Sequence, residues 1–311
     1  MSENALGVML GEGWWSGAIT YMGYLWNLFG DRQSVLAKLV ITYADGTEQK
    51  IVSDPDTWSY FDNGPVVYSS FFQGEVYDAR KESLTNGWSE VSYSASGWKK
   101  AVEVNQENAI AEDKSIESNR MPAVNDFSNM KLIGQYGQTV KKIKELTAVS
   151  MEEVKPGVYV YDMGQNMVGI PMVTLTGNHP GKEIRLRFAE VKSPDLPEFK
   201  DNVGMIMLEN IRGALAQDIY ITRGGSEVIR PYFTFHGYRY IEITGTDNPL
   251  PLESVKGEVL SSIHGQQRET SCRFLPIVPN AMNAWAGVGI FPSSHERQRI
   301  WVIFPSFFVV I

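Results

Sequence analysis

Between Val158 and Gly245 the chain falls into four dense blocks, VYVYDMGQNMVGIPMVTL, EIRLRFAEV, ENIRGALAQDIYITRGG and RPYFTFHGYRYIEITG, separated by Gly, Pro, Asn and Asp. Within each block, apolar β-branched and aromatic residues alternate with polar ones at a period of two, which is the signature of half-buried strands. Scattered among the apolar positions are Arg185, Arg187, Glu190, Glu209, Arg212, Asp218, His236 and Arg239. A chain built this way folds as all-β.

The rest of the sequence agrees. KLVITYADGTEQKIVS (Lys38–Ser53) reads as a hairpin in which Leu39, Ile41 and Tyr43 alternate with polar neighbours. Asp45-Gly46 supplies its turn, a dipeptide suited to the positive φ angles of type I′. Further strands are expected near Gly7–Leu10, Val66–Phe72, Val102–Val104 and Lys131–Gly134. Asn105–Asn129, rich in Glu, Asn, Ser and Lys, reads as a linker, and the charged Thr139–Glu145 leads into a second unit. The expected organisation is therefore residues 1–145, residues 146–260, and a connector with an apolar tail over residues 261–311.

Composition limits the function classes. Of 311 residues, 43% are hydrophobic and 21% charged, with a net charge of −8, ordinary for a globular chain. This acidic balance, with no Lys/Arg cluster, speaks against nucleic acid as a partner, because phosphate contacts need a basic patch. The lone Cys272 forms no intramolecular disulfide, and no Cys/His spacing points to zinc. The start, MSENALGVMLGEGWW, lacks the pattern of a signal peptide, and no run reaches the ~18 apolar residues of a membrane-spanning helix. The compartment stays open.

The four blocks, in this order, resemble the concanavalin-like β-sandwich of bacterial α-L-rhamnosidases (glycoside hydrolase family 78). ENALGVMLGEGWWSG (Glu3–Gly17), the segment Leu39–Glu82 with its GEVYDARKE ending, and GWSEVSYSASGWKKAVEV (Gly87–Val104) are similar to that family's amino-terminal domain. The match extends over roughly residues 3 to 272. It implies two jelly-roll-like β-sandwiches in tandem, the first lacking its opening strands and so presenting an unpaired edge. It also implies hydrolysis of terminal α-L-rhamnosides by an inverting pair of carboxyl groups, one acid and one water-activating base. In the family those groups lie on a following (α/α)6 barrel, which has no counterpart in this sequence. The tail from Phe274, ending IWVIFPSFFVVI, reads either as a non-native terminus or as a terminal strand. Its Glu296, within SSHERQRIW, matches the barrel's acid-bearing motif too poorly to be assigned, so no catalytic residue is expected.

The sandwich carboxylates Asp162, Glu190, Glu209 and Asp218 read as structural partners of Arg185, Arg187, Arg212 and Arg239. His236 reads as a hydrogen-bonded core or strand-end histidine. Gly11–Gly17 reads as a turn between strands, not a nucleotide loop. Asp54, Asp56, Asp62 and Asn63 form an oxygen-rich loop, either solvated turn residues or ligands for Ca²⁺; no other cofactor is expected. Six of the eight tryptophans (Trp14, Trp15, Trp26, Trp58, Trp88, Trp98) fall in the first hundred residues. Trp88 and Trp98 read as core or turn plugs, whereas Trp58, Tyr60, Asp62 and Asn63 form a surface cluster able to stack and hydrogen-bond a sugar.

Three functions follow. The chain is the non-catalytic sandwich portion of a rhamnosidase-like hydrolase, a stand-alone module binding rhamnose-containing glycans, or a subunit that completes an enzyme in trans. The last would pair with another chain, or another copy of itself, by strand addition at the open edge.

Overall fold

The computed structural model describes residues 5–18, 27, 32–90, 92–104, 139–262 and 301–302. In chain order the strands are β1 (Lys38–Thr42), β2 (Glu48–Val52), β3 (Ser59–Tyr60), β4 (Val66–Ser70), β5 (Gly74–Asp78), β6 (Lys99–Lys100), β7 (Lys141–Thr147), β8 (Ser150–Lys155), β9 (Val158–Asn178), β10 (Glu183–Ala189), β11 (Gln217–Ile221), β12 (Gly225–Ile229), β13 (His236–Thr244), β14 (Val255–Ser261) and β15 (Trp301–Val302). The fold is all-β, as the alternation implies. Two compact units arise: Met1–Ser70 with Lys81–Gln135 and Ala286–Ile311, and Phe71–Arg80 with Tyr136–Trp285. The expected division ran the first domain unbroken to residue 145; in the structure the decapeptide Phe71–Arg80 is grouped with the second unit.

In the first unit β1 and β2 form the expected hairpin, paired from Lys38↔Val52 to Thr42↔Glu48. Its turn is not type I′. The Gly46 N–H donates to the Tyr43 carbonyl, and Ala44 and Asp45 keep negative φ while Gly46 alone is left-handed at +85°. That is a type I turn closed by a glycine bulge, held by the Asp45 carboxylate accepting from the Thr47 N–H at 2.9 Å. β2 is exposed along its whole length, and among the described residues it pairs only with β1. On the other side β1 pairs with β15, Leu39 opposite Val302, the one described part of the tail. Gly7–Leu10 and Val102–Val104 carry no strand; Asn105–Asn129, Lys131–Gly134 and Glu296 lie outside the described residues.

The second unit is organised by β9. The first half of this 21-residue strand pairs with β8 and β13, and the second half pairs with β12 and β14. One sheet therefore runs β5-β11-β10-β13-β9-β14-β7, with β8 and β12 also paired to β9. Where β9 changes partners, the register with β13 jumps from Met167↔Tyr238 to Asp162↔Tyr240, leaving Met163–Asn166 as a bulge. The bulge also resets the inward alternation on β13, so that Tyr238 and Ile241, three residues apart, are both fully buried. The core consists of Tyr161, Ile170, Val173, Leu175, Ile184, Leu186, Phe188, Ile241, Ile243 and Val255, all at 1% exposure or less. At about 1.5–3 kcal/mol for each buried side chain of this size, they fix the register of β10, where Ile184, Leu186 and Phe188 point inward and Arg185 points out.

β5 enters this sheet from far upstream. It runs parallel to β11, with Val76, Tyr77 and Asp78 opposite Ile219, Tyr220 and Ile221. The Tyr77 ring stacks on Tyr220 (centroids 5.5 Å apart) and Tyr232 (5.8 Å), and Ala79 is buried.

Candidate functional site

The surface cluster expected from sequence sits on the small β3–β6 ladder of the first unit. Ser59 and Tyr60 pair with Lys100 and Lys99, and the Trp58 carbonyl accepts from the Ala101 N–H at 3.0 Å. Trp58 is half-buried, and Tyr60 is exposed. Lys99 is the residue that joins the group: its ammonium lies 5.7 Å from the Tyr60 ring centroid and forms a salt bridge with Asp62. That hydrogen bond, with the lysine's charge, holds the Asp62 carboxyl below the usual carboxylate range. Lys81 Nζ donates to Asn63 Oδ1 at 2.9 Å. Lys99 therefore lies over the Tyr60 ring, and the carboxylate and amide that would bond sugar hydroxyls already hold lysines. Neither lysine was nominated from sequence, because both lie well away from the Trp58–Asn63 segment.

The neighbouring aromatics behave as plugs. Trp98 stacks on Phe61 at 5.7 Å and meets Tyr93 edge-on, its indole N–H donating to the Tyr93 hydroxyl at 3.0 Å. Asp54 is absorbed by its own turn, accepting from the backbone N–H groups of Asp56 and Thr57, each at 2.9 Å, and from the Thr57 hydroxyl. Among the described residues no group of three or more His, Cys, Asp or Glu is placed to hold a metal ion. Trp26 lies outside the described residues.

Asp162, Glu190 and Asp218 hold structural partners, partly different from those expected. Asp162 takes Arg239 in a bidentate pair at 2.9 and 2.8 Å, as expected. Arg187 turns to Glu242, its direct cross-strand neighbour, and Arg185 to Glu183 at 2.8 Å. Glu190 accepts from the Asn166 amide at 2.9 Å. Asp218 pairs not with an arginine but with His236, whose Nε2 lies 2.9 Å from Oδ2. The Arg187–Glu242 pair is decided by cross-strand register, which core packing sets and a charge count does not see.

Asp218 is the hub of a buried polar network unseen in the sequence. Its Oδ1 accepts from the Glu75 backbone N–H and the Thr234 hydroxyl, both at 3.0 Å, while His236 stacks on Phe188 at 3.9 Å. Glu75 Oε2 accepts from the N–H groups of Tyr232 and Phe233 at 2.9 Å each. Burial, with the nearby Asp218 charge adding to it, pushes the Glu75 carboxyl up to about 8, so Glu75 is neutral in the folded state at pH 7. The unfolded chain ionises near the ordinary 4.5. Stability from this group is therefore complete below about pH 4.5 and is lost as pH rises through 8. Denaturant unfolding should show the second unit weakening across that window, and E75Q, which keeps the acceptor oxygen and cannot ionise, should flatten the slope. An unchanged slope in E75Q would refute the assignment.

Together these features define a tandem all-β protein in which Asp162, Glu190 and Asp218 hold structural partners. Residues 1–123 match the α-L-rhamnosidase N-terminal domain, and residues 152–261 match the bacterial α-L-rhamnosidase concanavalin-like domain. An α-L-rhamnosidase of Streptomyces avermitilis is 37% identical over 258 residues, covering 83% of this chain and 22% of that protein. One from Formosa agariphila is 31% identical over 98% of this chain and 28% of its own length. The crystal structure of the Streptomyces avermitilis enzyme complexed with L-rhamnose superposes with a TM-score of 0.63 at 36% identity, covering 80% of this chain and 21% of that one. The chain belongs to the bacterial α-L-rhamnosidase family by its amino-terminal and concanavalin-like domains, and it spans about a quarter of the length of these relatives.

Proposed function

We propose that the chain is the non-catalytic β-sandwich portion of an α-L-rhamnosidase-like glycoside hydrolase, and that the enzyme it serves removes terminal α-L-rhamnosyl groups. The observation that carries this reading is the occurrence of both domain types, in order, on one chain. Glycoside hydrolysis needs one carboxyl group to protonate the leaving oxygen and a second to activate water across the bond. Asp162, Glu190, Asp218, Glu242 and Glu258 instead each hold an arginine, lysine, asparagine or histidine. Purified chain incubated with a chromogenic α-L-rhamnoside is expected to release no chromophore above the buffer rate. Turnover that tracks the protein through purification would overturn the reading.

A further inference from the structure

On the face of β10 opposite Ile184, Leu186 and Phe188, the second unit carries an open cleft of about 400 Å³, within the size range of small-ligand sites. Val158 and Met205 supply apolar walls, and Arg185, Arg187, Glu183 and Glu242 supply the polar ones. The pairing inside it is incomplete. Arg187 spends both Nε and Nη2 on the same oxygen of Glu242, Oε1. Glu242 is only 2% exposed, and its Oε2 is buried with no hydrogen-bond partner among the described residues. A buried carboxylate oxygen without a donor is costly and calls for an explanation. Arg185, half-exposed, engages Glu183 through a single nitrogen.

We propose that this cleft binds a neutral sugar residue. Two arginines and two glutamates leave it with no formal charge, so it favours neither an anion nor a cation. What it lacks is a donor for Glu242 Oε2 beside guanidinium N–H groups that seek an acceptor. A hydroxyl does both at once, and adjacent hydroxyls on a pyranose ring would span Glu242 and Arg185 while the ring's C–H face rests on Val158 and Met205. The site lies apart from the Tyr60 cluster, and it stands on this chemistry whether or not the hydrolase reading holds.

The test is a titration of the whole 311-residue chain with methyl α-L-rhamnopyranoside, followed by amide NMR and calorimetry, with sodium D-glucuronate as the anionic comparison. The expected result is saturable millimolar binding that shifts the amides of residues 183–187, 205 and 242–245. E242Q should weaken it by about tenfold and R185A by a smaller factor, the loss of one or two hydrogen bonds, while Y60A leaves it unchanged. R185A removes an exposed pair, so the proposal stays testable if E242Q folds poorly. Absence of saturation, shifts confined to Tyr60 and Asp62, binding indifferent to R185A, or tighter binding of glucuronate would each overturn it.

Discussion

Replacing Gly74 by alanine is expected to cost the second unit about 4 kcal/mol, through left-handed backbone strain and forced displacement of a neighbour. Gly74 opens β5 at φ +97°, and a Cβ there would stand 1.4 Å from the Gln217 carbonyl oxygen. No rotamer relieves that contact, because the obstacle is backbone. β5 would have to lift off β11, loosening the Tyr77 stack and the Glu75 hydrogen bonds with it. Gly46 is the control: it too is left-handed, at +85°, but a Cβ would meet nothing within 4 Å. G46A should therefore lose only about 1 kcal/mol. Chemical denaturation of both variants decides the matter, and a G74A as mild as G46A would sink the account of how β5 is seated.

The second large effect is expected at Asp218. Alanine there strips the acceptor from the Glu75 N–H, the Thr234 hydroxyl and His236 in one step, all of them buried. Orphaned buried donors and a broken buried pair together cost roughly 3–5 kcal/mol. D218N keeps one oxygen in place and should cost less than half as much. It also removes the charge that helps to raise Glu75, so the Glu75 carboxyl should titrate at a lower pH in D218N than in the parent, a change visible by carbon-detected NMR. Equal destabilisation by D218A and the isosteric D218N, which opens no cavity, would mean that the lost charge and its pairing with His236, rather than the Oδ1 acceptor, set the cost.

Much of the second unit was legible in the sequence. EIRLRFA displays its inward Ile184, Leu186 and Phe188 as strict alternation, and the pattern survives in the structure because one face of β10 is core. The Lys38–Ser53 hairpin was equally plain, although its turn type was not: Asp-Gly fits both a two-residue turn and the bulged turn observed, and the choice rests on the loop running from Tyr43 to Thr47. Less legible was anything set by register across distant strands. Arg187 finds Glu242 because β13 pairs with β10, whereas His236, opposite Gly169 on β9, meets Asp218 of β11 outside any shared ladder. At the nominated cluster, Tyr60 and Asp62 are adjacent enough to be grouped by eye, whereas Lys99, which occupies both, arrives through the β3–β6 ladder. The GEVYDAR run lies within the residues that match the amino-terminal domain, and its strand pairs with β11 of the later unit.

That displaced run has a bearing on how the chain is made. β5 leaves the ribosome about 143 residues before the strand it lies against, the separation between Glu75 and Asp218. At a synthesis rate of ~5–20 residues per second, it waits roughly 7–30 seconds with Val76 and Tyr77 unshielded. During that interval a second nascent copy, or a chaperone, competes for the same edge. Expression at low ribosome density or with abundant chaperone should therefore raise the yield of folded protein, with the gain largest for variants that weaken the capture of β5 by β11.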